Sequence, residues 1–385
     1  MKVAYHSDAF AGRVGYGLGR YARELWHSLR ERAPDISLVP FALRGRRDAL
    51  SAFNDDVKWN GAVRPRLDGR MYMAMWAMLG APGIERWIDR VDLVHSVELD
   101  YPVATRRPWI VTVHDLGPLT HPHYFSGSRP WLLRRALRQL VRSASLIVAV
   151  SDSTAEAIEH FTRAQLRSRM HVVPEGVAAQ FFEPQSSACL ADLKSLPPAG
   201  DPYFLWTGSL NPRKNLRNVI LAFESVAAEI PHHLVLAGGI GWDSGDVLDE
   251  IERSVFRRRI HRPGHVTDEQ LRALYQGADG FVYVSLMEGF GLPILEAMAS
   301  GCPVITSNLS SMPEVAGDAA LLVTPQRHLE IAEAMHRLAS DESLRTRLRQ
   351  RGRERARGFS WPRCADRMIE LYRSVARQSA SAAAS

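Results

Sequence analysis

The sequence lacks several features that would assign it to a class at once. Its 385 residues include only three cysteines, Cys189, Cys302 and Cys364, which are far apart and odd in number. Such spacing supports neither a disulfide framework nor a zinc site, and it favours a reducing cytoplasm. The longest uncharged apolar run, Met71 to Ile84, is shorter than the ~20 residues that a membrane span needs. No signal-peptide pattern opens the chain, so a secretory leader is not expected.

The positive charge of the chain is modest and confined to one half. Lys and Arg number 48 against 42 Asp and Glu, a formal net charge of +6. Through Gly200 there are 26 basic and 20 acidic residues, whereas the remainder has 22 of each. A one-sided surplus of this size suits an anionic surface or a phosphate-bearing substrate, and no nucleic-acid-binding motif accompanies it. The composition, 46% hydrophobic and 23% charged, is that of a globular enzyme.

Short apolar runs alternate with amphipathic stretches, which predicts parallel sheets with helices on both faces. The length predicts two domains: a first over 1–184 and a second over 203–360, joined by a Ser-, Pro- and Gly-rich linker over 185–202. The chain then closes with a helix over 361–377 and a disordered tail over 378–385. Two doubly wound domains are expected to bind ligands in a cleft at the carboxyl ends of their strands.

Each predicted domain has six strands with helices between several of them. In the first half we expect strands at Lys2–His6, Ile36–Leu43, Asp92–Ser96, Trp109–His114, Leu146–Ser151 and His171–Pro174. In the second half we expect them at Tyr203–Thr207, Leu234–Ala237, Ile260–Gly264, Phe281–Leu286, Val304–Ser307 and Ala320–Val323.

A nine-residue segment from Glu288 to Glu296 follows one of these strands and contains two carboxylates in a glycine-rich turn. Gly289 and Gly291 permit a tight turn and close approach of a ligand, and Pro293 suits the first turn of a helix. The two glutamates can accept hydrogen bonds from different hydroxyls of one extended ligand. The alternative is a strand–helix junction without a ligand, which a lone glutamate would favour but the whole segment does not.

The backbone of this turn is a candidate anion site. The N–H groups at about Phe290, Gly291 and Leu292 lie at the start of the predicted helix, where the helix dipole is positive. Phosphate or sugar oxygens are the ligands that such a position favours.

Two adjacent cations, Arg213 and Lys214, stand between a strand and a helix in Thr207-Gly-Ser-Leu-Asn-Pro-Arg-Lys-Asn215. Arginine grips phosphate oxygens with a planar fork and lysine adds a point charge, so the pair suits a diphosphate. A solvated helix start is the alternative, but cations at a helix N-terminus oppose the dipole.

The first half offers a glycine loop and a histidine. Gly15-Tyr-Gly17-Leu-Gly19-Arg-Tyr lies between a strand and a helix, where a glycine loop can hold phosphates, but its dinucleotide-binding fingerprint is incomplete. His114, followed by Asp115, ends a strand at the expected cleft edge. A lone histidine is more often structural than catalytic. Ser151 is expected to cap the helix that follows it.

These motifs together resemble the retaining glycosyltransferases of family 4, which have the GT-B fold. Glu288 to Glu296 is similar to their E-x7-E motif, the segment ending in Arg213-Lys214-Asn215 to their G-x-x-x-x-R-K-N motif, and Val113-His114-Asp115 to their Val-His-Asp. The resemblance runs from about Lys2 to Arg373 and implies two Rossmann-like domains facing a cleft, with the C-terminal helix crossing back to the first domain. Val173-Pro-Glu175-Gly-Val resembles the usual Pro-Asn-Gly-Val, with Glu175 in place of asparagine and no catalytic role expected for it.

The resemblance also implies roles for the candidate residues. Arg213 and Lys214 would clamp the donor diphosphate, Glu288 would contact the donor sugar, and Glu296 the nucleotide ribose. The backbone at Phe290, Gly291 and Leu292 would hold the sugar and the distal phosphate. The same resemblance places Val266 near the nucleotide base, although Val266 is equally readable as a plain strand end. It places Gly17 and Gly19 near the donor phosphate. It implies that His114 positions the sugar, in preference to transferring a proton.

The implied activity is a retaining transfer of a sugar from a nucleotide-sugar donor. The nearest subgroup resembles mannosyltransferases of bacterial surface-polysaccharide assembly, so GDP-mannose is the expected donor and a glycan or polyprenyl-diphosphate-linked glycan the expected acceptor. No Asp-x-Asp and no metal-ligand spacing occurs, so we expect neither metal nor cofactor. A nucleotide-sugar epimerase or hydrolase, or a non-catalytic sugar-nucleotide-binding module, are the alternatives.

A basic helix in the first half bears on location. The helix over 131–143 is expected to place on one face the arginines Arg134, Arg135, Arg138 and Arg142. This pattern fits a core-packed surface helix, and it also fits contact with anionic lipid at the inner face of the membrane, to which the Met- and Trp-rich Met71–Leu79 would add apolar grip. We expect a cytoplasmic protein.

Overall fold

A computed structural model describes residues 1–6, 17–42, 69–99, 103–125, 130–239, 241 and 245–384. The chain divides into two compact units. The first comprises Met1–Pro122, Gly127–Gly176 and Trp361–Ser385, and the second His123–Ser126 and Val177–Ser360. Each contains one six-stranded parallel sheet, so the predicted pair of α/β sheets is confirmed.

Most of the helices lie between strands, as predicted from the alternating sequence, and the last three follow the final strand. The helices are α1 (Gly17–Arg32), α2 (Gly69–Leu79), α3 (Gly117–Thr120), α4 (Pro130–Ser143), α5 (Asp152–Thr162), α6 (Leu216–Val226), α7 (Gly245–Arg253), α8 (Asp268–Gly277), α9 (Leu292–Ala299), α10 (Met312–Ala316), α11 (His328–Ser340), α12 (Glu342–Arg357) and α13 (Trp361–Ala384). Short 3₁₀ helices occur at Ile84–Arg86, Pro122–Tyr124, Ala179–Phe182, Ser187–Leu190, Pro212–Lys214 and Arg257–Arg259.

The sheet of the first unit is built from continuous apolar runs. Its strands are β1 (Lys2–His6), β2 (Ser37–Phe41), β3 (Leu93–Ser96), β4 (Trp109–Val113), β5 (Leu146–Ala149) and β6 (Met170–Val172), in the order β2-β1-β3-β4-β5-β6. All residues of β3, β4 and β5 are buried. A parallel sheet with helices on both faces requires such runs, because neither face of the strand meets water.

Helix α13 belongs to the first unit although it closes the chain. It packs against α1, whose buried face includes Tyr21, Leu25 and Trp26 as the helical spacing predicts. Arg32 of α1 pairs with Asp366 of α13 at 2.8 Å. The predicted return of the C-terminal helix to the first unit is therefore confirmed.

The sheet of the second unit has the strand order of a dinucleotide-binding fold. Its strands are β7 (Tyr203–Thr207), β8 (His233–Ala237), β9 (Ile260–Gly264), β10 (Gly280–Tyr283), β11 (Val304–Ser307) and β12 (Ala320–Val323), in the order β12-β11-β10-β7-β8-β9. Chain order reverses between β7 and β10. In open α/β sheets the crevice at such a switch point, beyond the carboxyl ends of the strands, is the place where ligands bind.

The structure differs from the sequence prediction at several boundaries. Strand β10 ends at Tyr283, short of the predicted Leu286, because the N–H of Leu286 leaves the ladder and donates to the carbonyl of Arg213 at 2.9 Å. The units divide at Gly176, and the segment predicted as a linker over 185–202 packs on the second unit: the N–H of Gln185 donates to Gln276 at 2.8 Å. Helix α13 continues to Ala384, so residues 378–384 are helical and not disordered as predicted; alanine, frequent there, has the highest helix propensity.

Candidate active site

The residues that follow β7 and β10 meet at the switch point of the second sheet. The 3₁₀ helix Pro212–Lys214 follows β7, and Glu288 follows β10. The backbone bond from Leu286 to Arg213 joins the two segments. The strand order therefore brings together residues that are more than seventy positions apart in the chain, and the predicted cations lie beside the first glutamate of the E-x7-E motif.

Arg213 and Lys214 both form ion pairs with Glu288. The Nη1 of Arg213 donates to Glu288 Oε2 and, at 2.9 Å, to the carbonyl of Met287. The Nζ of Lys214 lies 2.7 Å from Glu288 Oε1. All three side chains are at least four-fifths buried, so water screens these pairs much less than surface ion pairs.

Tyr283, the last residue of β10, completes this cluster and was not anticipated from the sequence. Its hydroxyl donates to Glu288 Oε1 at 2.9 Å and accepts a hydrogen bond from Lys214 Nζ. The ammonium also lies 4.6 Å from the centroid of the tyrosine ring, a cation–π arrangement. Tyr283 thus holds the carboxylate and the ammonium in one fixed geometry. A tyrosine in an apolar strand reads as core, so nothing in the local pattern marks it.

The cluster keeps Glu288 ionised. Burial on its own would raise the pKa of this carboxyl, but Arg213 and Lys214 outweigh burial and lower its pKa from 4.5 to about 2. Two cations thus face one carboxylate at the switch point. The arrangement carries a net positive charge, which suits a phosphate-bearing ligand.

The turn after Glu288 is fixed by two serines. The hydroxyl of Ser311 donates to the carbonyls of Glu288 and Phe290 at 3.0 and 2.6 Å, and that of Ser310 donates to Glu288 O at 2.5 Å. Gly291 has a φ of +121°, a conformation that L side chains rarely adopt. Helix α9 then begins at Leu292, so the N–H groups of its first turn lack intrahelical acceptors. The predicted strand, glycine turn and helix start are therefore present in this order, while anion binding there remains a prediction.

The remaining second-unit candidates occupy the same edge of the sheet. Glu296 is a buried residue inside α9. Val266 follows β9, which lies two strands from β7, about 10 Å away at normal strand spacing. Asn215, the N-cap residue of α6, has a φ of +57°, and its side-chain amide donates to the carbonyls of Val284 and Pro325 at 3.0 and 2.7 Å. Asparagine tolerates this left-handed conformation, and its amide ties the cation segment to the end of β10.

The candidates of the first half lie in the other unit. Gly17 and Gly19 belong to the first turn of α1, whereas residues 15 and 16 of the predicted loop lie outside the described residues. His114 directly follows β4, at the carboxyl edge of the first sheet, as predicted. Its ring contacts Glu175 and the carbonyl of Val97 at 3.0 and 2.9 Å. The contact with Glu175 is not predictable from the sequence motifs.

Two further expectations concern caps and metals. The hydroxyl of Ser151 accepts a hydrogen bond from the N–H of Thr154 at 3.0 Å, so the predicted N-cap of α5 is confirmed. In the part of the chain that the structure describes, no group of three or more His, Cys, Asp and Glu side chains is placed to hold a metal ion. Within the same residues, no helix is both long and apolar enough to cross a membrane.

Two family models match the chain and together cover most of it. The model described as Glycosyltransferase Family 4 matches residues 16–181, and the model described as Glycosyl transferases group 1 matches residues 192–355.

Relatives of known function are found among bacterial enzymes. The chain is 36% identical over 268 residues to O-antigen chain mannosyltransferase B of Escherichia coli, covering 69% of this chain and 70% of that protein. It is 30% identical over 281 residues to the serotype-specific mannosyltransferase WbdA of Escherichia coli, covering 70% of this chain and 34% of WbdA. The chain thus spans about a third of the length of WbdA.

The chain also resembles solved structures along almost its whole length. Sucrose-phosphate synthase from Thermosynechococcus elongatus has a TM-score of 0.73 at 22% identity, covering 97% of this chain and 99% of that one. Anabaena HepE, solved in complex with UDP and glucose, has a TM-score of 0.74 at 18% identity, covering 97% and 100%. At these identities the similarity establishes the fold alone.

Two α/β units, each with one parallel six-stranded sheet, form the GT-B fold that the structural neighbours share, and both matching family models describe glycosyltransferases. The family models and the O-antigen relative identify the chain further. The chain belongs to glycosyltransferase family 4.

Proposed function

We propose that the chain transfers mannose from GDP-mannose, with retention at the anomeric carbon, to a glycan or polyprenyl-diphosphate-linked glycan in surface-polysaccharide synthesis. The observation that carries the proposal is the joint pairing of Arg213 and Lys214 with Glu288 at the switch point. Two relatives whose names specify mannosyl transfer favour mannose over other sugars. HepE binds UDP and glucose on the same fold, so the fold by itself does not select the donor.

The chemistry follows from the charge at the switch point. The diphosphate leaving group gains negative charge as the glycosidic bond breaks, and preorganised cations and helix N–H groups stabilise that charge in the transition state. Arg213, Lys214 and the first turn of α9 supply both kinds of group. In the proposed reaction Glu288, held by Tyr283, would accept hydrogen bonds from sugar hydroxyls. In the proposed front-face reaction the departing phosphate takes the acceptor proton, and a trapped glycosyl-enzyme adduct would refute it.

A ligand panel tests the donor assignment. We expect GDP-mannose and GDP to raise the melting temperature more than UDP-glucose or UDP, because a ligand that binds only the native state stabilises it by ~2.7 kcal/mol at 100 times its Kd.

We also propose that the reaction needs no metal or cofactor, so the shift in melting temperature and the transfer of mannose should survive EDTA. A larger shift with a UDP-sugar would overturn the donor, and loss of activity in EDTA with recovery in Mg²⁺ would overturn metal independence. An acceptor-independent rate equal to the full rate would identify a hydrolase.

We further propose that the enzyme works in the cytoplasm, in contact with the inner face of the membrane. Helix α4 buries Leu132, Ala136, Leu137 and Leu140. Its outer face carries four exposed arginines, Arg134, Arg135, Arg138 and Arg142. Exposed apolar side chains stand beside them, with Trp131 at 60% and Met78 of α2 at 70% exposure, and Arg135 reaches the carbonyl of Met78 at 3.2 Å. Basic and apolar groups on one face are typical of surfaces that bind anionic lipid.

Reversing two charges on α4 should weaken vesicle binding. Each arginine near an anionic membrane contributes ~1 kcal/mol, so Arg134→Glu with Arg138→Glu should reduce affinity for phosphatidylglycerol vesicles by about 30-fold or more at low salt. Co-sedimentation measures the effect. Arg347→Glu with Arg357→Glu, on exposed positions of α12, is the matched control and should bind as the wild type does. Wild-type protein that stays in the supernatant removes the membrane proposal.

A further inference from the structure

Glu175 is buried at 5% exposure just after β6, beside His114, which directly follows β4. Its Oε1 lies 3.0 Å from Nδ1 of His114, while Nε2 on the other side of the ring lies 2.9 Å from the carbonyl oxygen of Val97. Both ring nitrogens of His114 therefore face an oxygen atom of the protein.

The chemistry of the two oxygens dictates the protonation of the ring. A carbonyl oxygen only accepts, so Nε2 must carry a hydrogen. With Nε2 protonated, a neutral ring would direct the lone pair of Nδ1 at a carboxylate oxygen. The 3.0 Å contact needs a proton between the two atoms. Because imidazole is a stronger base than a carboxylate, this proton resides on the ring, which is then an imidazolium paired with a carboxylate.

Other groups around the ring fix its position. Tyr21 of α1 lies edge-on to the His114 ring with centroids 4.5 Å apart, and the hydroxyl of Thr154 in α5 donates to the His114 carbonyl at 2.9 Å. The neighbouring Asp115 adds a second negative charge, and its carboxylate accepts from the N–H of Gly117 at 2.8 Å.

The charges around His114 act in opposite directions. Burial of His114, which also interacts electrostatically with His95, opposes a charged ring. The hydrogen bond and charge of Glu175, with the hydrogen bond to Val97 and the charge of Asp115, nevertheless raise the pKa of His114. Cys364 of α13 and Tyr21 also lie within electrostatic range of Glu175. Their pKa values are raised, so they are neutral at physiological pH.

We infer that Glu175 is a positioning residue that holds His114 as a doubly protonated imidazolium, with its ring fixed at the carboxyl edge of the first sheet. In this state His114 has no lone pair with which to act as a general base. It instead supplies a fixed positive charge and a backbone carbonyl oriented by Thr154. The role of His114 in the reaction rests on the proposed glycosyl transfer. The protonation state of its ring can be measured without any substrate.

Nitrogen NMR on the wild-type protein decides the protonation state. With ¹⁵N-labelled histidine, and His114→Gln used to assign the signals, both ring nitrogens of His114 should show imidazolium shifts at pH 7.5. One neutral-tautomer pair of shifts at that pH would overturn the inference. This measurement needs no variant at Glu175 and no donor, so its failure is distinct from a failure of the mannosyl-transfer proposal.

Kinetics on Glu175→Gln test the positioning role. The glutamine amide can donate to Nδ1 of a neutral ring, so the contact is kept while the charge is lost. We expect the His114 shifts to change to the neutral form, and kcat to fall by about 10-fold or more with little change in donor KM. Glu156→Gln, at an exposed position of α5, is the control and should change neither. A wild-type rate and pH profile in a folded Glu175→Gln protein would overturn the positioning role.

Discussion

Replacing Lys214 by alanine is expected to lower kcat by about 100-fold or more, and Arg213→Ala should have an effect of the same order. Each cation is expected to supply ~2–4 kcal/mol of transition-state stabilisation, the range of a single preorganised donor at a developing charge. Both are mostly buried, so water does not replace the lost charge effectively. Initial rates at saturating donor and acceptor measure the effect.

The fall should appear in kcat more than in donor KM, because the charge on the leaving group is largest in the transition state. Lys194→Ala provides a control, since Lys194 is an exposed lysine of the second unit. It should keep the wild-type rate. Rates near wild type in both Arg213→Ala and Lys214→Ala would reject the proposed diphosphate clamp.

The double variant should lose less than the sum of the two single effects. Arg213 and Lys214 contact opposite oxygens of one carboxylate, and residues that share a partner are not additive. Removing either cation also removes one of the two ion pairs that hold the Glu288 carboxylate in place. The pair and the carboxylate thus act as a unit, which the sequence motifs taken one at a time do not convey.

The sequence predicted best where buried strands are read directly as apolar runs. The strands Lys2–His6, Tyr203–Thr207, Ile260–Gly264, Val304–Ser307 and Ala320–Val323 have the predicted bounds. A parallel strand buried on both faces leaves little freedom in composition, so its limits are visible in the chain. The predicted strand bounds are wrong where a change in hydrogen-bond pairing, and not a change in amino-acid composition, ends the strand. The residues after Tyr283 are apolar enough for a strand, but the chain turns there to meet Arg213.

Partners at long sequence separation could not be predicted in this way. Motif spacing placed Arg213, Lys214 and Glu288 at strand ends, and the strand order β10-β7 then makes those ends neighbours. The contact of Tyr283 with Lys214 spans 69 positions, and that of Glu175 with His114 spans 61. The local hydrophobic pattern carries no information about such contacts. A residue such as Tyr283 in an apolar strand fits the pattern equally well whether it only packs in the core or also binds a distant polar group.

Acid should remove the stability that the ionised Glu288 carboxylate gives to the second unit. The pKa of Glu288 is about 2 in the folded protein against an ordinary value of 4.5. A carboxyl whose pKa is lowered by folding stabilises the native state above its unfolded pKa, and the contribution declines as the pH falls from 4.5 towards 2. This difference in pKa corresponds to about 3 kcal/mol of stability.

Glu288→Gln should therefore destabilise the second unit by about 3 kcal/mol at pH 7, and this difference from wild type should shrink as the pH is lowered to 2.5. Hydrogen exchange of the β7 and β10 amides gives the opening free energy of this unit separately from the first, which a single melting curve of a two-unit chain does not. Glu252→Gln, at an exposed position of α7, should match wild type at every pH. A destabilisation that stays constant from pH 7 to 2.5 would mean that lost packing, and not lost charge, is responsible. The two cations would then not depend on Glu288 for their placement, and the charge balance that we assign to the switch point would be wrong.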